Sequence, residues 1–382
     1  MKRVVIFCSM IFSIDAWCGF IIDDVVAKPV SPWNEIVVDY NIKGDLPTKA
    51  DRYGFFMFAS NMTTKTIRYA ASIKGNAELS LGKHRVVWNI ENDQANIGTK
   101  NKIGVCYCRL YCIIDLSKGP NAINYPVSYL DTEPYEGWTS EYKSTKLVLR
   151  FIEPGSFKFN GTKEVIITKP YYIGVFEVTQ KQFELVTGYR SSTKCSDLQP
   201  VMHTSWNEIR GDSDIYDWPT IRKVNPESFI GRLQSKTGLN LDLPMEAQWE
   251  YACRAGTMTA YSYGDKPNGD YMWYGDNSGL LGALEVGSRL PNPWGLYDMH
   301  GNVWEWCLDK YGIYPNGKID PISSSSGLDR VKRGGSYVDV YNETDGNSDA
   351  ALCTSSYRIC SDPSHEYYFY DRGFRIVFNL AK

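Results

Sequence analysis

Residues 295–306 read GLYDMHGNVWEW, a run that fits neither an amphipathic helix nor a simple strand. Glycine and asparagine, which favour turns, alternate in it with tyrosine and tryptophan and with two carboxylates, Asp298 and Glu305. Neither the 3.6-residue period of a helix nor the two-residue period of a strand describes this mixture. The pattern therefore predicts a compact irregular loop that polar side chains hold in place.

The size and charge of the whole chain set the first limits. At 382 residues it exceeds one ordinary core, so two domains behind a targeting segment are expected. Charged residues make up 22% of the chain and the formal net charge is -3, which leaves no basic surface to hold nucleic acid. Nucleic acid is therefore excluded as a partner.

Residues 1–19 have the order of a secretory signal peptide. Lys2 and Arg3 precede an apolar run that continues to Ile14, and this run is too short to span a membrane. Lipid modification of Cys18 is the alternative. No later segment reaches the roughly 18 apolar residues that a membrane span needs. The mature chain, without a transmembrane segment, is expected to be secreted, periplasmic or at the cell surface.

Residues 22–130 predict an all-β domain. Short runs rich in valine and isoleucine alternate with clusters of turn residues, which is typical of an immunoglobulin-like sandwich. Cys106, Cys108 and Cys112 share parity, so they are expected along one face of a strand, and a metal site is the alternative. Residues 131–146 are polar and rich in turn residues, and they predict a linker.

Residues 147–382 form the second predicted domain, in which periodic segments are brief and widely separated. Each of three predicted helices has a capping residue or a proline at its start and a glycine just past its end. They are QKQFELVT between Thr179 and Gly188, PESFIGRLQSKT from Pro226 to the residue before Gly238, and MEAQWEYACRA between Pro244 and Gly256. The apolar stripes of these helices are predicted to be core.

Two side chains of the 295–306 run, Asn302 and Glu305, place hard oxygen ligands close together. With exposed carbonyls of the Gly-Asn turn they would suit calcium. In the alternative interpretation Glu305 accepts backbone N–H bonds and Asn302 takes a left-handed turn conformation. The spacing alone leaves both interpretations open.

Eight motifs follow one another in the C-terminal part of the chain, from Leu147 onwards. They are FIEPGSF (151–157), YYIGVFEVTQKQF (171–183), PVMHTSW (200–206), LPMEAQWEYACRAGT (243–257), YSYGD (261–265), NPWGLYDMHGNVWEW (292–306), RVKRGGSY (330–337) and DRGFRIV (371–377). This succession resembles the formylglycine-generating enzyme family, also called the sulfatase-modifying factor family. The resemblance implies a loop-rich α+β domain with a variant of the C-type lectin fold, following the N-terminal sandwich.

The resemblance also implies two metal sites and one reaction. Asn302, the carbonyl of Val303 and Glu305 match residues that bind calcium in family members. The reaction oxidises a cysteine of a sulfatase, which is a protein substrate, to formylglycine, using molecular oxygen and a copper ion that two cysteine thiolates hold. Paired soft thiolates select Cu(I), and an open position on the metal lets oxygen meet the substrate thiol.

The copper positions are where this chain departs from the family pattern. The places of the two copper cysteines are occupied by Asp339 and Thr344, and the next cysteines are Cys353 and Cys360. In one interpretation an insertion has displaced the pair, so that Cys353 and Cys360 act beside Ser336. In the other, Cys353 belongs to a structural CTSSYR segment and the copper pair is absent.

Arg358 and Arg375 match basic positions of the family's C-terminal core, and structural ion pairs are the alternative to an active-site role. A branch of the family that uses iron held by three histidines is excluded, because the four histidines of this chain are scattered and form no H-x-x-x-H pair. His300, inside the 295–306 run, is expected to be a hydrogen-bonding group of the loop.

Two functions follow from the sequence. One is an exported oxidase that converts a peptidyl cysteine to formylglycine, with Cys353, Cys360 and Ser336 at its centre and copper as its cofactor. The other is a non-catalytic binding or scaffold module at the cell surface. Asp339 and Thr344, which stand where thiolates are required, favour the second function, as does the N-terminal sandwich, a common interaction module.

Overall fold

The structure, a computed structural model, does not describe every residue of the chain. It describes residues 20–30, 35–44, 53–61, 67–71, 73–75, 80, 82–89, 101–279, 282–313, 319–323, 327–338, 349–364 and 371–380. The expected signal peptide at residues 1–19 lies outside the described residues, as do Asp339 and Thr344.

Before residue 110 the described chain folds into two antiparallel sheets. Their strands are β1 (Phe20–Val30), β2 (Glu35–Gly44), β3 (Tyr53–Asn61), β4 (Ile67–Tyr69), β5 (Ile73–Gly75), β6 (Gly82–Asn89) and β7 (Asn101–Arg109). One sheet has the order β1-β2-β6-β5 and the other the order β4-β3-β7. Along β2 every second side chain, at Ile36, Val38, Tyr40 and Ile42, is buried, as the two-residue period of a half-buried strand requires.

The remaining elements are short strands and short helices. They are β8 (Tyr111–Asp115), β9 (Val127–Leu130), α1 (Ser140–Ser144), β10 (Lys146–Ile152), β11 (Gly155–Phe159), β12 (Lys163–Ile167), β13 (Tyr171–Gly174), α2 (Gln180–Thr187), α3 (Trp206–Arg210), α4 (Phe229–Thr237), β14 (Leu241–Asp242), α5 (Glu246–Arg254), α6 (Gly275–Ser278), β15 (Trp304–Lys310), β16 (Arg330–Arg333), α7 (Asp349–Leu352), β17 (Arg358–Ser361), β18 (Arg372–Gly373) and β19 (Val377–Asn379). No helix within the described ranges has the length and apolar character that crossing a bilayer requires.

The largest sheet of the C-terminal part has six antiparallel strands in the order β14-β19-β13-β10-β8-β9. Two of these strands, β8 and β9, lie before the predicted end of the first domain at residue 130, and β9 ends at that residue. Strand β8 pairs with β10 along its whole length. The predicted linker, residues 131–146, contains α1 and leads directly into β10. The sheet therefore draws on chain from both sides of the predicted linker.

Helix α2 begins and ends at the residues that its caps predict. The Thr179 hydroxyl accepts a backbone N–H bond, and Gly188 ends the helix with a φ of 88°. Helix α4 begins at Phe229 and not at the predicted Pro226, because the hydroxyl of Ser228 caps its N-terminus. Cap residues therefore identify both ends of α2. The start of α4 is set by the capping residue Ser228 and not by Pro226, two positions earlier.

One apolar core lies between the six-stranded sheet and helices α2, α3 and α4. The rings of Phe183 and Phe229 stack with centroids 5.5 Å apart, and Phe374 packs edge-on against both. Each fully buried side chain of this kind contributes about 1.5–3 kcal/mol relative to an exposed one. Since Phe374 directly precedes Arg375, this packing also fixes the segment that carries Arg375.

The described cysteine side chains are free thiols. They are those of Cys108, Cys112, Cys195, Cys253, Cys307, Cys353 and Cys360. Cys106 and Cys108 lie on β7, whereas Cys112 lies on β8 in the six-stranded sheet. The three cysteines that share parity in the sequence are therefore divided between two sheets.

A second sheet, with the order β17-β16-β15-β18, carries the candidate site. Strand β15 continues directly from the 295–306 run and pairs with β16 so that Glu305 lies opposite Arg333 and Trp306 opposite Lys332. Because successive side chains of a strand point to opposite faces, one face carries glutamate and arginine. The other face carries tryptophan and lysine, and is called the tryptophan face below.

Candidate functional site

The loop at residues 295–303 is irregular, as predicted from GLYDMHGNVWEW, and mostly buried, whereas residues 304–306 of the same run form the start of strand β15. Several of its residues have positive φ, among them Asn302 at 62°. Gly301 is required at its place, because a Cβ there would lie 2.0 Å from the backbone oxygen of Trp273. Its N–H donates to the backbone oxygen of Gly334 at 2.7 Å, which ties the loop to the segment after β16.

Asn302 is buried and bonded at both ends of its side-chain amide. The nitrogen donates to Glu177 Oε2 at 2.6 Å, and the oxygen accepts from the backbone N–H of Leu284 at 2.9 Å. The next N–H along the chain, that of Val303, donates to the other oxygen of Glu177 at 3.1 Å. Glu177 therefore clamps the turn, and Asn302 has the left-handed conformation of the second sequence interpretation.

Glu305 forms a buried ion pair with Arg375. Its carboxylate accepts from Arg375 Nη2 at 2.5 Å and Nε at 2.7 Å, and from the indole N–H of Trp249 at 2.6 Å. Arg375 also donates to the backbone oxygens of Gly174 and Tyr297. Both charged side chains are 0% exposed. The pairing of a guanidinium with a carboxylate through two hydrogen bonds is strong and geometrically specific. A structural ion pair therefore accounts for Arg375.

Three buried carboxylates, those of Glu177, Asp298 and Glu305, lie within electrostatic reach of this one guanidinium. Burial, followed by the charges of Asp298 and Glu305, raises the pKa of Glu177 well above its ordinary 4.5. Burial raises the pKa of Asp298 to about 6, although the N–H of Gly287 and Arg375 oppose the shift. Ionised Glu177 and Asp298 are therefore less stable in the fold than in water.

Ser336 and Cys353 lie together beside the Gly-Gly turn that follows β16. The Ser336 hydroxyl donates to Asp371 Oδ2 at 3.1 Å. The Cys353 thiol packs so closely against Gly335 that a Cβ there would come within 2.4 Å of the sulfur. Cys353 is 0% exposed, and burial raises the pKa of its thiol to about 12. The thiol is therefore protonated at neutral pH.

Cys360 lies elsewhere, on β17 opposite Val331. Its partly buried thiol donates to Asp329 Oδ2 at 3.4 Å, and burial followed by Asp329 raises its pKa. No contact within the described residues joins the sulfur of Cys360 to Cys353 or to Ser336. Of the three predicted catalytic residues, the structure brings together only Ser336 and Cys353.

Arg358 belongs to a second buried network, which joins the β17-β16-β15-β18 sheet to α5. Its guanidinium binds both oxygens of Glu246, at 2.7 and 2.6 Å. Arg333 contacts the same carboxylate at 3.1 Å and also contacts Glu250, which pairs with Arg254 at 2.8 Å. Structural ion pairs therefore account for Arg358 as they do for Arg375.

His300 is a buried hydrogen-bonding group of the loop, as expected. Its Nδ1 lies 2.7 Å from the backbone oxygen of Cys353, and its Nε2 accepts from the N–H of Ser262 at 3.1 Å. Burial lowers the pKa of His300 to about 4, so the ring is neutral at physiological pH. A ring with its proton on Nδ1 satisfies both contacts.

Residues 135–380, which include every residue of the site, match the model of a family described as the sulfatase-modifying factor enzyme 1-like domain. The chain belongs to this family. A formylglycine-generating enzyme of Bos taurus is 34% identical in an alignment 213 residues long, which covers 44% of this chain and 57% of that enzyme. The chain therefore spans little more than half the length of this relative.

Two further proteins are similar to this chain. The inactive C-alpha-formylglycine-generating enzyme 2 of Bos taurus is 30% identical in an alignment 152 residues long, which covers 37% of this chain and 39% of that protein. Among solved structures, Treponema denticola variable protein 1 is similar at a TM-score of 0.46 and 25% identity, over 62% of this chain and 96% of that one. The relatives thus include proteins named as formylglycine-generating enzymes as well as one named as inactive.

The calcium site that the family resemblance implies does not fit the residues present here. The oxygen of Asn302 faces the N–H of Leu284, whereas the oxygens of Glu305 face Arg375 and Trp249, so the two side chains are not directed at a shared position. Within the described ranges, no group of three or more histidine, cysteine, aspartate or glutamate side chains is arranged to hold a metal ion. Arg375 supplies the positive charge beside Glu305.

Removal of calcium is therefore expected to leave the stability of the protein unchanged. Addition of the chelator EGTA should shift the midpoint of thermal unfolding, measured by circular dichroism, by less than about 1 °C. A calcium ion present at about 100 times its Kd would instead add about 2.7 kcal/mol, which corresponds to a rise of several degrees. Such a rise with calcium, abolished by Glu305→Gln, would contradict the role given to Arg375.

A copper ion shared by Cys353 and Cys360 does not fit either. Copper of the family type needs two thiolates that face one metal position. Cys353 is a buried, protonated thiol held against Gly335, and the Cys360 thiol is bonded to Asp329. The two cysteines therefore do not provide a paired thiolate site.

Sequence reasoning does not single out three residues that the structure places in or beside the site: Glu177, Lys332 and Asp371. Glu177 stands between Phe176 and Val178, and a carboxylate within an apolar run is a signal of a buried anchor. Lys332 and Asp371 lie within the RVKRGGSY and DRGFRIV motifs, but a polar residue in a short strand or turn predicts exposure and gives no signal of burial.

Proposed function

We propose that this chain is a binding member of the sulfatase-modifying factor family, which recognises a protein or peptide partner and does not carry out copper-dependent oxidation. The state of Cys353 supports this most directly. Its thiol is 0% exposed, has a pKa raised to about 12, and shares no described contact with Cys360. Since the thiolate is the form of cysteine that binds a metal, the pair lacks the ligands that the family reaction needs.

The remainder of the chain supports a binding role. The N-terminal strands form two antiparallel sheets, in keeping with an immunoglobulin-like interaction module. We infer a C-type-lectin-like fold for the C-terminal domain, because it contains long irregular connections such as residues 257–274, between α5 and α6, and loops of this kind serve recognition. Residues 1–19 support export to a secreted, periplasmic or surface location.

Formylglycine generation is the second candidate function. The 34% identity to the Bos taurus formylglycine-generating enzyme favours it, as does the place of Ser336 beside Cys353. For that reaction a conformational change would have to expose Cys353 and bring Cys360 to the same position.

Incubation of the copper-treated full chain with a peptide containing Cys-x-Pro-x-Arg, in the presence of oxygen, is expected to give no aldehyde. The reason is that Cys353 is buried and protonated and Cys360 lies against Asp329. Mass spectrometry of the peptide measures the product, and metal analysis after gel filtration measures bound copper, which should be far below one ion per chain. The Bos taurus formylglycine-generating enzyme serves as the positive control.

Formation of the aldehyde would contradict the binding proposal if it depends on Cys353. Aldehyde that disappears in Cys353→Ser but persists in Cys253→Ser would establish the oxidase and end the binding proposal. Cys253 is the matched control because it too is 0% exposed, and burial likewise raises the pKa of its thiol to about 12.

A further inference from the structure

Four buried polar side chains lie at the tryptophan face of the β17-β16-β15-β18 sheet and at its edge. They are Lys332, Ser336, Asp371 and Arg372, together called the lysine cluster. None is more than 5% exposed. Lys332 lies on β16 opposite Trp306, and Arg372 lies on β18 opposite Trp304, so both cations lie beside indole rings of β15.

The amine of Lys332 has aromatic neighbours but no hydrogen-bond acceptor within the described residues. Its Nζ lies 5.8 Å from the ring centroid of Trp304 and 5.7 Å from that of Trp306. A buried lysine normally pairs with a carboxylate, as Lys310 on the neighbouring strand does with Asp217 at 3.1 Å. Lys332 therefore keeps donor capacity that the fold does not use.

Asp371 has unused acceptor capacity in the same cluster. One carboxylate oxygen accepts from the Ser336 hydroxyl at 3.1 Å, while the other, Oδ1, is buried without a partner. An unpaired buried acceptor is costly, so a ligand that donates to Oδ1 would remove that cost. The lysine cluster thus holds one donor and one acceptor that a ligand could engage.

The electrostatic setting of Lys332 favours a neutral amine. Burial and then the Arg372 guanidinium lower the pKa of Lys332 to about 7, against the opposing influence of Asp371 and Cys360. Strand β15 faces the amine with tryptophan rings and no charge. About half of the amine is then unprotonated at pH 7, compared with roughly one part in 2,500 for an ordinary lysine. A desolvated lysine beside a second cation is a setting in which lysine attacks carbonyl groups.

We propose that Lys332 forms an imine with a small aldehyde that carries an acidic group. The Nζ lone pair adds to the carbonyl carbon, the carbonyl oxygen takes up a proton, and the resulting carbinolamine loses water to leave a C=N bond. One amine and one aldehyde give one imine and one water, so the step needs no oxidant or reductant. Asp371 Oδ1 accepts the proton that the nitrogen releases, and Arg372 attracts the acidic group. The imine step uses neither Cys353 nor Cys360, so it does not depend on whether these cysteines hold copper.

The test uses the full chain, glyoxylate as an aldehyde with a carboxylate, and cyanoborohydride to reduce any imine to a stable amine. Peptide mapping by mass spectrometry after reaction at pH 7 is expected to find carboxymethylation of Lys332 at least about tenfold above that of Lys310. Lys310 is the matched control because it is also largely buried, on the adjacent strand, but paired with Asp217. Labelling of Lys332 that does not exceed that of Lys310 overturns the proposal.

Variants and pH separate the imine from chance labelling. Lys332→Arg keeps a cation without the nucleophile and should abolish the adduct at this position. Because Arg372 lowers the pKa of the amine and Asp371 raises it, Arg372→Met should move the pH midpoint of labelling up and Asp371→Asn should move it down. If circular dichroism shows that a variant does not fold, the pH dependence of Lys332 labelling in the wild-type protein tests the proposal instead. A midpoint near 7 supports the proposal, and one near the ordinary value of about 10 overturns it.

Discussion

Replacing Arg375 with methionine is expected to lower the free energy of unfolding by about 3–5 kcal/mol. Methionine retains much of the apolar volume but leaves the carboxylate of Glu305 buried without its guanidinium. It also removes the positive charge that opposes the raised pKa of Glu177 and Asp298. Urea unfolding at pH 7, followed by tryptophan fluorescence, measures the change. A loss of this size is a large part of the stability of an ordinary domain.

Arg232→Met is the matched control for this experiment. Arg232 pairs with Glu227 at 2.7 Å on the surface, where the Glu227 side chain is 77% exposed, and such pairs contribute about 0–1 kcal/mol. Equal losses in the two variants, or a loss below about 1 kcal/mol in Arg375→Met, would show that the buried ion pair does not hold the 295–303 loop.

Asp298→Asn is expected to stabilise the protein above pH 6 and to leave its stability unchanged near pH 4. Burial raises the pKa of Asp298 from its ordinary 3.8 to about 6. Between these values the folded state binds more protons than the unfolded state, so the free energy of unfolding falls as the pH rises. Asparagine mimics the protonated form, still accepts from Gly287 N–H and suits the φ of 55°. The expected gain at pH 7 is on the order of 3 kcal/mol.

Urea unfolding of both proteins between about pH 4 and pH 7 measures this difference. Asp270→Asn is the control, because Asp270 is exposed and its replacement should change the unfolding free energy by no more than about 0.5 kcal/mol at any pH. If the curves of the wild-type protein and Asp298→Asn run parallel across this range, Asp298 is ionised in the fold at no cost and the expected charge cluster is wrong.

Some predictions that depend only on neighbouring residues agree with the structure. Thr179 and Gly188 bound α2 because a helix cap depends on groups only a few positions apart. The left-handed Asn302 and the buried irregular loop likewise follow from the glycine, asparagine and aromatic content of the 295–306 run itself. Local chemistry therefore made these features readable from the sequence.

Partners that are distant in sequence were not predictable in the same way. Glu177 bonds to Asn302 across 125 positions, and Arg375 bonds to the backbone of Gly174 across 201. Whether such a residue is buried depends on which elements pack together, and hydrophobic period does not encode that pairing. Lys332 is the clearest example, since a lysine in a short strand suggests a solvated position until the two tryptophans of β15 are placed beside it.

The hydrophobic period of a strand likewise does not predict the sheet to which it belongs. Residues 111–115 read YCIID, an apolar run of the same texture as the N-terminal strands. The structure pairs them instead with β10 and β9. A periodic pattern identifies a buried strand, but only its hydrogen-bonding partner assigns it to a domain.

A protein shortened to begin at residue 135, where the family match starts, would lose β8 and β9 and leave β10 at the rim of its sheet. The backbone N–H and C=O groups of β10 that now bond to β8 would have no partner strand. Ile114 and Leu116 would also no longer cover the core. Exposed edge strands of this kind pair with other chains and cause aggregation. A fragment meant to stay monomeric in solution therefore has to start upstream of Tyr111, well before the limit that homology suggests.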